Sequence, residues 1–277
     1  MKILLGTVAG LLFSSCIAPA AVAADASLPP AEEAARQRLN GSPRHGEFAD
    51  VDVKGTPVHT WVVYPERKDK APVVVVIHEI FGLSDWIRAV ADQLAADGFI
   101  AVAPDLLSGK GPKGGGTDAY ASRDDVTRAV SGLAHDEVVA RLDAVRRYAL
   151  ALPAAGGKSA SVGFCWGGST SFAYAVAQPA LNAAVVYYGT APGDLSTLAA
   201  VKAPVLGLYG GNDARVDATI DATQAKMKEL GKSFEPHVFA GAGHGFLRAQ
   251  AGQDGANAKA TEQAWPLTIA FLRQHTK

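Results

Sequence analysis

The sequence predicts an α/β fold: a doubly wound, mostly parallel sheet with helices on both faces. Three observations predict it. Continuous apolar runs such as Pro72-Val73-Val74-Val75-Val76-Ile77 lack polar alternation, as strands buried on both faces require. Segments with apolar residues at helical spacing, closed by glycine, fall between those runs. Strand and helix signals alternate along the chain and do not segregate. A chain of 277 residues, 48% hydrophobic and 8% aromatic, can build one sizeable core of this kind.

The first stretch lies outside that pattern. Met1-Lys2 gives a positive start, Ile3 to Phe13 is an apolar run, and Ala21-Val22-Ala23-Ala24 offers small-residue cleavage sites. Residues 1–24 are therefore expected to be a secretory signal peptide, too short for a stable membrane span, which sends the mature chain to the periplasm or outside the cell. Lipidation at Cys16, after Phe13-Ser14-Ser15, is the alternative address, although Phe13 stands where a leucine-like residue is usual. Cys16 and Cys165 are the two cysteines, so cleavage leaves Cys165 alone with no disulfide partner. A lone thiol in an oxidising compartment favours a working role. A net charge of −1 leaves no electrostatic footprint for nucleic acid or an anionic membrane.

Residues 25–46 are rich in Ala, Pro, Glu and Arg and read as an N-terminal surface arm. It holds a short helix, Ala31 to Leu39, and a loop at Asn40-Gly41-Ser42-Pro43. Residues 47–277 read as a single α/β domain without repeat or linker. Two antiparallel strands, Phe48 to Lys54 and Val58 to Pro65, flank the Lys54-Gly55-Thr56-Pro57 turn. After the valine-rich strand, Trp86 to Asp97 carries Ile87, Val90, Ala91, Leu94 and Ala95 on one helical face, and Gly98 ends it. Phe99 to Asp105 is the next strand. Leu106 to Asp118, full of glycine and lysine, reads as a mobile loop; no Gly-Lys-Ser/Thr closes it into a phosphate-binding loop. Ser122 to Ser131 and His135 to Leu150 read as helices. Strands follow up to Val162, at Ala183 to Gly189, at Pro204 to Gly210 and at Glu235 to Phe239. Ser169 to Val176 and Ile220 to Leu230 are helices. The last helix, Ala258 to His275, is expected to be interrupted or kinked by Pro266.

Between the strand ending at Val162 and the helix after it lies Gly163-Phe164-Cys165-Trp166-Gly167-Gly168. Glycines around a central nucleophile mark the nucleophile elbow of the α/β-hydrolases, whose sharp turn needs small neighbours so that strand and helix can approach. Cys165 occupies the apex where serine is usual. Ligands in such folds sit beyond the carboxyl ends of the strands. Asp213, in Gly210-Gly211-Asn212-Asp213, and His244, in Gly243-His244-Gly245-Phe246, both follow strands. The order nucleophile, acid, histidine is that of the α/β-hydrolases. His244 can take the thiol proton while Asp213 holds its tautomer. The other histidines show no metal-ligand spacing, so neither metal nor cofactor is expected.

His78-Glu79-Ile80-Phe81-Gly82, Ala103-Pro104-Asp105-Leu106, the cysteine elbow, Asp213 and Gly243-His244-Gly245-Phe246 together resemble the dienelactone hydrolase family. The resemblance covers Glu47 to the C-terminus. It implies an α/β-hydrolase fold and a Cys-His-Asp triad that opens an enol-lactone through an acyl-thioester. It further implies Glu79 as a partner controlling the thiol, and backbone N–H groups of Ile80 and Trp166 as the oxyanion hole. The family binds its substrate carboxylate with two arginines. Arg248 matches one; Gly109 stands where the other is expected, with Lys110 beside it. The expected function is an exported enzyme, working as a monomer, that hydrolyses a small lactone or carboxylic ester. A general esterase or thioesterase of the same fold, or a non-catalytic thiol module for ligand binding or redox, are the alternatives.

Overall fold

The computed structural model describes residues 27–277, so the expected leader and Cys16 lie outside the described residues. The strands are β1 (Gly46–Val53), β2 (Thr56–Val63), β3 (Ala71–Ile77), β4 (Ile100–Pro104), β5 (Ala155–Phe164), β6 (Ala183–Tyr187), β7 (Val205–Gly210) and β8 (Phe234–Phe239). They form one sheet in the order β1-β2-β4-β3-β5-β6-β7-β8. β1 and β2, the hairpin the sequence shows around Lys54-Gly55, join the sheet antiparallel through β2 and β4. The other neighbours pair in parallel.

The α-helices are α1 (Ala35–Asn40), α2 (Asp85–Ala96), α3 (Arg123–Ser131), α4 (His135–Ala151), α5 (Trp166–Ala177), α6 (Ala214–Asp217), α7 (Ile220–Glu229) and α8 (Ala256–His275). The valine run of β3 explains why both faces are covered. Val74 and Val76 pack with Trp86 and Leu94 of α2 and Trp265 of α8, whereas Val73, Val75 and Ile77 pack with Leu142, Phe172 and Met227. Side chains alternate across a strand, so an unbroken apolar run feeds two cores at once.

Three expectations change. α8 runs unbroken through Pro266, with Trp265, Ile269 and Leu272 buried on both sides of it. Tertiary packing there outweighs the missing N–H and the ring clash of proline. The loop after β4 is anchored, not free. Asp105 accepts hydrogen bonds from Leu107 N (3.0 Å), Thr117 N (2.6 Å) and Thr117 Oγ1 (2.7 Å), and Thr117 Oγ1 accepts one from Leu83 N (3.1 Å). The N-terminal arm does more than lie on the surface. Its helix buries Ala35, Trp86 Nε1 donates to Pro30 O at 2.9 Å, and Gln250 Nε2 donates to Pro29 O at 3.0 Å.

Candidate active site

β5 ends in a turn that only small residues permit. A methyl on Gly163 would fall inside the carbonyl of Gly167, and one on Gly167 inside the carbonyls of Ile77 and His78. Cys165 then sits at φ 55° and ψ −116°, a backbone state that costs a non-glycine residue about 1–3 kcal/mol. The distortion leaves Cys165 as the cap before α5, with its side chain raised beyond the sheet's carboxyl edge.

Asp213 and His244 come from the ends of β7 and β8. Gly210 lets the two loops close against each other, because a side chain there would strike the Ala242 and Gly243 carbonyls. Asn212 N donates to Ala242 O at 2.8 Å, and Gly243 N donates to Asn257 Oδ1 of α8 at 2.8 Å. Held this way, His244 Nδ1 lies 2.5 Å from Asp213 Oδ2, and the aspartate is buried. Tyr188, directly after β6, stands edge-on to the His244 ring with centroids 5.2 Å apart. Among the described residues no hydrogen bond joins Cys165 to His244.

The backbone N–H groups of Ile80 and Trp166 point at Cys165. Burial pushes the thiol pKa up and the Glu79 carboxylate pushes it further, while those two N–H groups pull it back only partly. His78 and Glu79 lie just past the end of β3. His78 Nδ1–H donates to the Glu79 carbonyl at 2.7 Å, and its ring stacks on Trp166 at 5.5 Å. This fixes the backbone that presents Ile80 N–H. Burial lowers the His78 pKa, leaving it a neutral spacer. Glu79 is 2% exposed, and burial raises its carboxyl to about 7 against the pull of Arg248.

Arg248 does not stand open. Its Nε lies 2.6 Å from Glu79 Oε2, and Nη1 donates to Glu32 Oε2 at 2.5 Å. Burial alone would lower its pKa, but Glu79 and Glu32 more than offset that and hold it charged. Glu32 also pairs with Arg123 Nη2 at 3.1 Å, and the Arg123 guanidinium lies 3.6 Å from the centre of the Phe81 ring. Lys110 corrects the sequence reading. It is bound to Glu137 of α4 at 2.8 Å and belongs to that surface pair. Gly109, at φ 76°, serves the turn after β4. The second arginine at the site is Arg123, which no spacing rule singles out. Glu32 was equally invisible, whereas Tyr188 could have been found as a polar residue immediately after a buried strand.

A cavity of about 440 Å³ opens next to Trp166, Ser169 and Thr190 and is walled by Leu133, Val138 and Val176. Among the described residues no group of His, Cys, Asp and Glu side chains is arranged to hold a metal. Nor, among them, is any helix long and apolar enough to cross a membrane.

The sequence model of the dienelactone hydrolase family matches residues 58–276. The chain belongs to the dienelactone hydrolase family. It is 36% identical over 209 residues to a Methylorubrum extorquens protein named "Putative carboxymethylenebutenolidase", a match spanning 69% of this chain and 71% of the other. A Salmonella typhimurium protein of the same name is 32% identical over 243 residues, covering 82% and 87%. A Klebsiella pneumoniae structure titled as a putative dienelactone hydrolase superposes with a TM-score of 0.74 at 26% identity, over 83% of this chain and 99% of that one. As a member of this dienelactone hydrolase family the chain is a hydrolase acting on ester bonds, with a small-molecule substrate. Cys165, Asp213, His244, Arg123 and Arg248 all fall inside the matched span, and Glu32 falls outside it.

Proposed function

We propose that Cys165, His244 and Asp213 hydrolyse a small lactone or carboxylic ester through a cysteine acyl-enzyme. The observation that carries this reading is the 2.5 Å Asp213–His244 contact beside a strained cysteine that faces two backbone N–H groups. In the resting site the Ile80 and Trp166 N–H groups face the thiol. An incoming ester carbonyl competes for the Ile80 and Trp166 N–H groups and displaces the sulfur toward His244. His244 takes the proton, the thiolate attacks the carbonyl carbon, and the N–H pair holds the resulting oxyanion. Collapse breaks the C–O bond, the His244 imidazolium protonates the leaving oxygen, and the acyl group remains on Sγ. Water, deprotonated by His244, then releases the acid and restores the thiolate, which is reprotonated. Asp213 orients His244 throughout. Burial and the Glu79 carboxylate together keep the resting thiol protonated, which limits unproductive alkylation or oxidation of a lone cysteine.

The reading extends to location. Removal of residues 1–24 delivers a monomeric enzyme to the periplasm or medium, with the arm kept as its new N-terminus. Hydrolysis of p-nitrophenyl butyrate tests the chemistry. Cys165→Ala and His244→Ala are each expected to lose at least about a thousandfold in kcat, in line with removal of a nucleophile or its base. A non-catalytic thiol module is the reading left standing if wild type turns over no ester or lactone. Intact mass and N-terminal sequence of the protein recovered from periplasm and medium test the processing.

A further inference from the structure

Glu32 has no place in the reaction above, yet its backbone N–H and both of its carboxylate oxygens are engaged. Its backbone N–H donates to Arg248 O at 3.0 Å, and Arg248 Nη1 donates back to its carboxylate at 2.5 Å. The other carboxylate oxygen takes Arg123 at 3.1 Å. The segment around it is pinned independently by Trp86 to Pro30, Gln250 to Pro29, and the Arg36–Asp85 pair at 2.9 Å. Arg248 in turn reaches Glu79, the carboxylate beside the thiol. A carboxylate from the chain's own N-terminal arm thus bridges two guanidinium groups, one of which also holds the carboxylate beside the thiol.

We propose that Glu32 is a specificity-determining residue that fills the two-arginine site and turns the enzyme toward uncharged esters and lactones. The inference rests on the ester-hydrolase reading and names its substrate class. Arg248 and Arg123 supply two positive charges; Glu79 and Glu32 supply two negative ones. A substrate carboxylate entering this half-buried cluster adds a charge with no partner unless it expels Glu32. Because Glu32 is tethered by its own backbone hydrogen bond, it competes at high effective concentration. Like-charge crowding and the loss of a charge-assisted hydrogen bond both oppose the exchange. A neutral substrate meets no such opposition.

The test compares p-nitrophenyl hydrogen succinate with its methyl ester, a pair differing by one carboxylate, on wild type, Glu32→Gln and Glu32→Gln/Arg123→Gln. Wild type should favour the neutral ester. Glu32→Gln should raise the carboxylate-to-neutral ratio of kcat/KM about tenfold, mainly through KM, and the double variant should lose that gain. A ratio unchanged in Glu32→Gln overturns the proposal. Calorimetric binding of phenylacetate against phenylacetamide, in a Cys165→Ala background, reads the same question without turnover. Tighter phenylacetate binding in Glu32→Gln, absent for the amide, supports it even where no ester is cleaved, a case in which only the hydrolase reading fails. Equal phenylacetate binding with and without Glu32 overturns it. Where Glu32→Gln does not fold, Glu32→Asp keeps the charge but is one methylene too short to span both arginines, and a smaller gain in the same direction is expected.

Discussion

Cys165 combines a strained backbone position with a half-buried thiol that its surroundings keep protonated. The two largest causes are burial and Glu79, and only the second can be removed without disturbing the elbow. In Glu79→Gln the like charge disappears, so the thiol pKa should fall and iodoacetamide should alkylate Cys165 several-fold faster at pH 7. Alkylation as slow as in wild type would show that burial alone quiets the thiol. Cys165, Asp213 and His244 were readable from the sequence because each follows a strand and sits among glycines that announce a special turn. Arg123 and Glu32 carry no such local mark. Their roles come from the Glu32–Arg248 contact between the two ends of the chain and from stacking on Phe81, neither of which any window of sequence contains. Lys110 shows the opposite error. Its closeness in sequence to Gly109 suggested a substitute arginine, but Glu137 of α4 claims it.

At the scale of elements, the elbow and the loop after β4 are the two pieces that must be built correctly. Gly163→Ala would press a methyl into the Gly167 carbonyl, and neither backbone can move without shifting β5 or α5. A loss of about 1–3 kcal/mol or more is expected from such overpacking. The check is a denaturant midpoint together with ester turnover, both of which should fall. In the loop, Thr117→Val keeps the shape but removes the hydroxyl that links Asp105 to Leu83. Leaving Leu83 N–H unpaired should cost about 1–3 kcal/mol. Limited proteolysis should then cut within residues 106–118 faster than in wild type, and equal cutting would mean the anchor is dispensable. The strands and helices were legible because apolar runs and helical spacing are local signals. Loop order was not, since glycine and lysine content reports what a segment permits and says nothing of a distant hydroxyl that fixes it. Pro266 misled for a related reason. Its local cost is real, but the burial of Trp265, Ile269 and Leu272 against the sheet decides the helix.

For the whole molecule, the active site is a place where folding works against itself. The sheet and its two cores hold Glu79 at 2% exposure, and burial raises its carboxyl to about 7 from an ordinary value of 4.5. A carboxyl with a raised folded pKa favours the folded state in its protonated form. Its contribution is therefore complete below about pH 4.5 and is lost as pH climbs to about 7, amounting to about 3 kcal/mol at most. Glu79→Gln carries a neutral group of nearly the same shape and lacks this slope. The stability difference between Glu79→Gln and wild type should therefore shift in favour of the variant from pH 4.5 to pH 7 and stay level above it. Whatever the variant loses by leaving Arg248 with one partner fewer does not change over this range, so it offsets the curve without bending it. Urea midpoints taken at pH 5, 6, 7 and 8 on both proteins provide the reading. Parallel curves would mean that Arg248 compensates the buried charge fully. A widening gap would mean that the fold tolerates a partly uncompensated carboxylate beside its only described cysteine, which is the cost expected of a site that keeps its nucleophile quiet until an ester arrives.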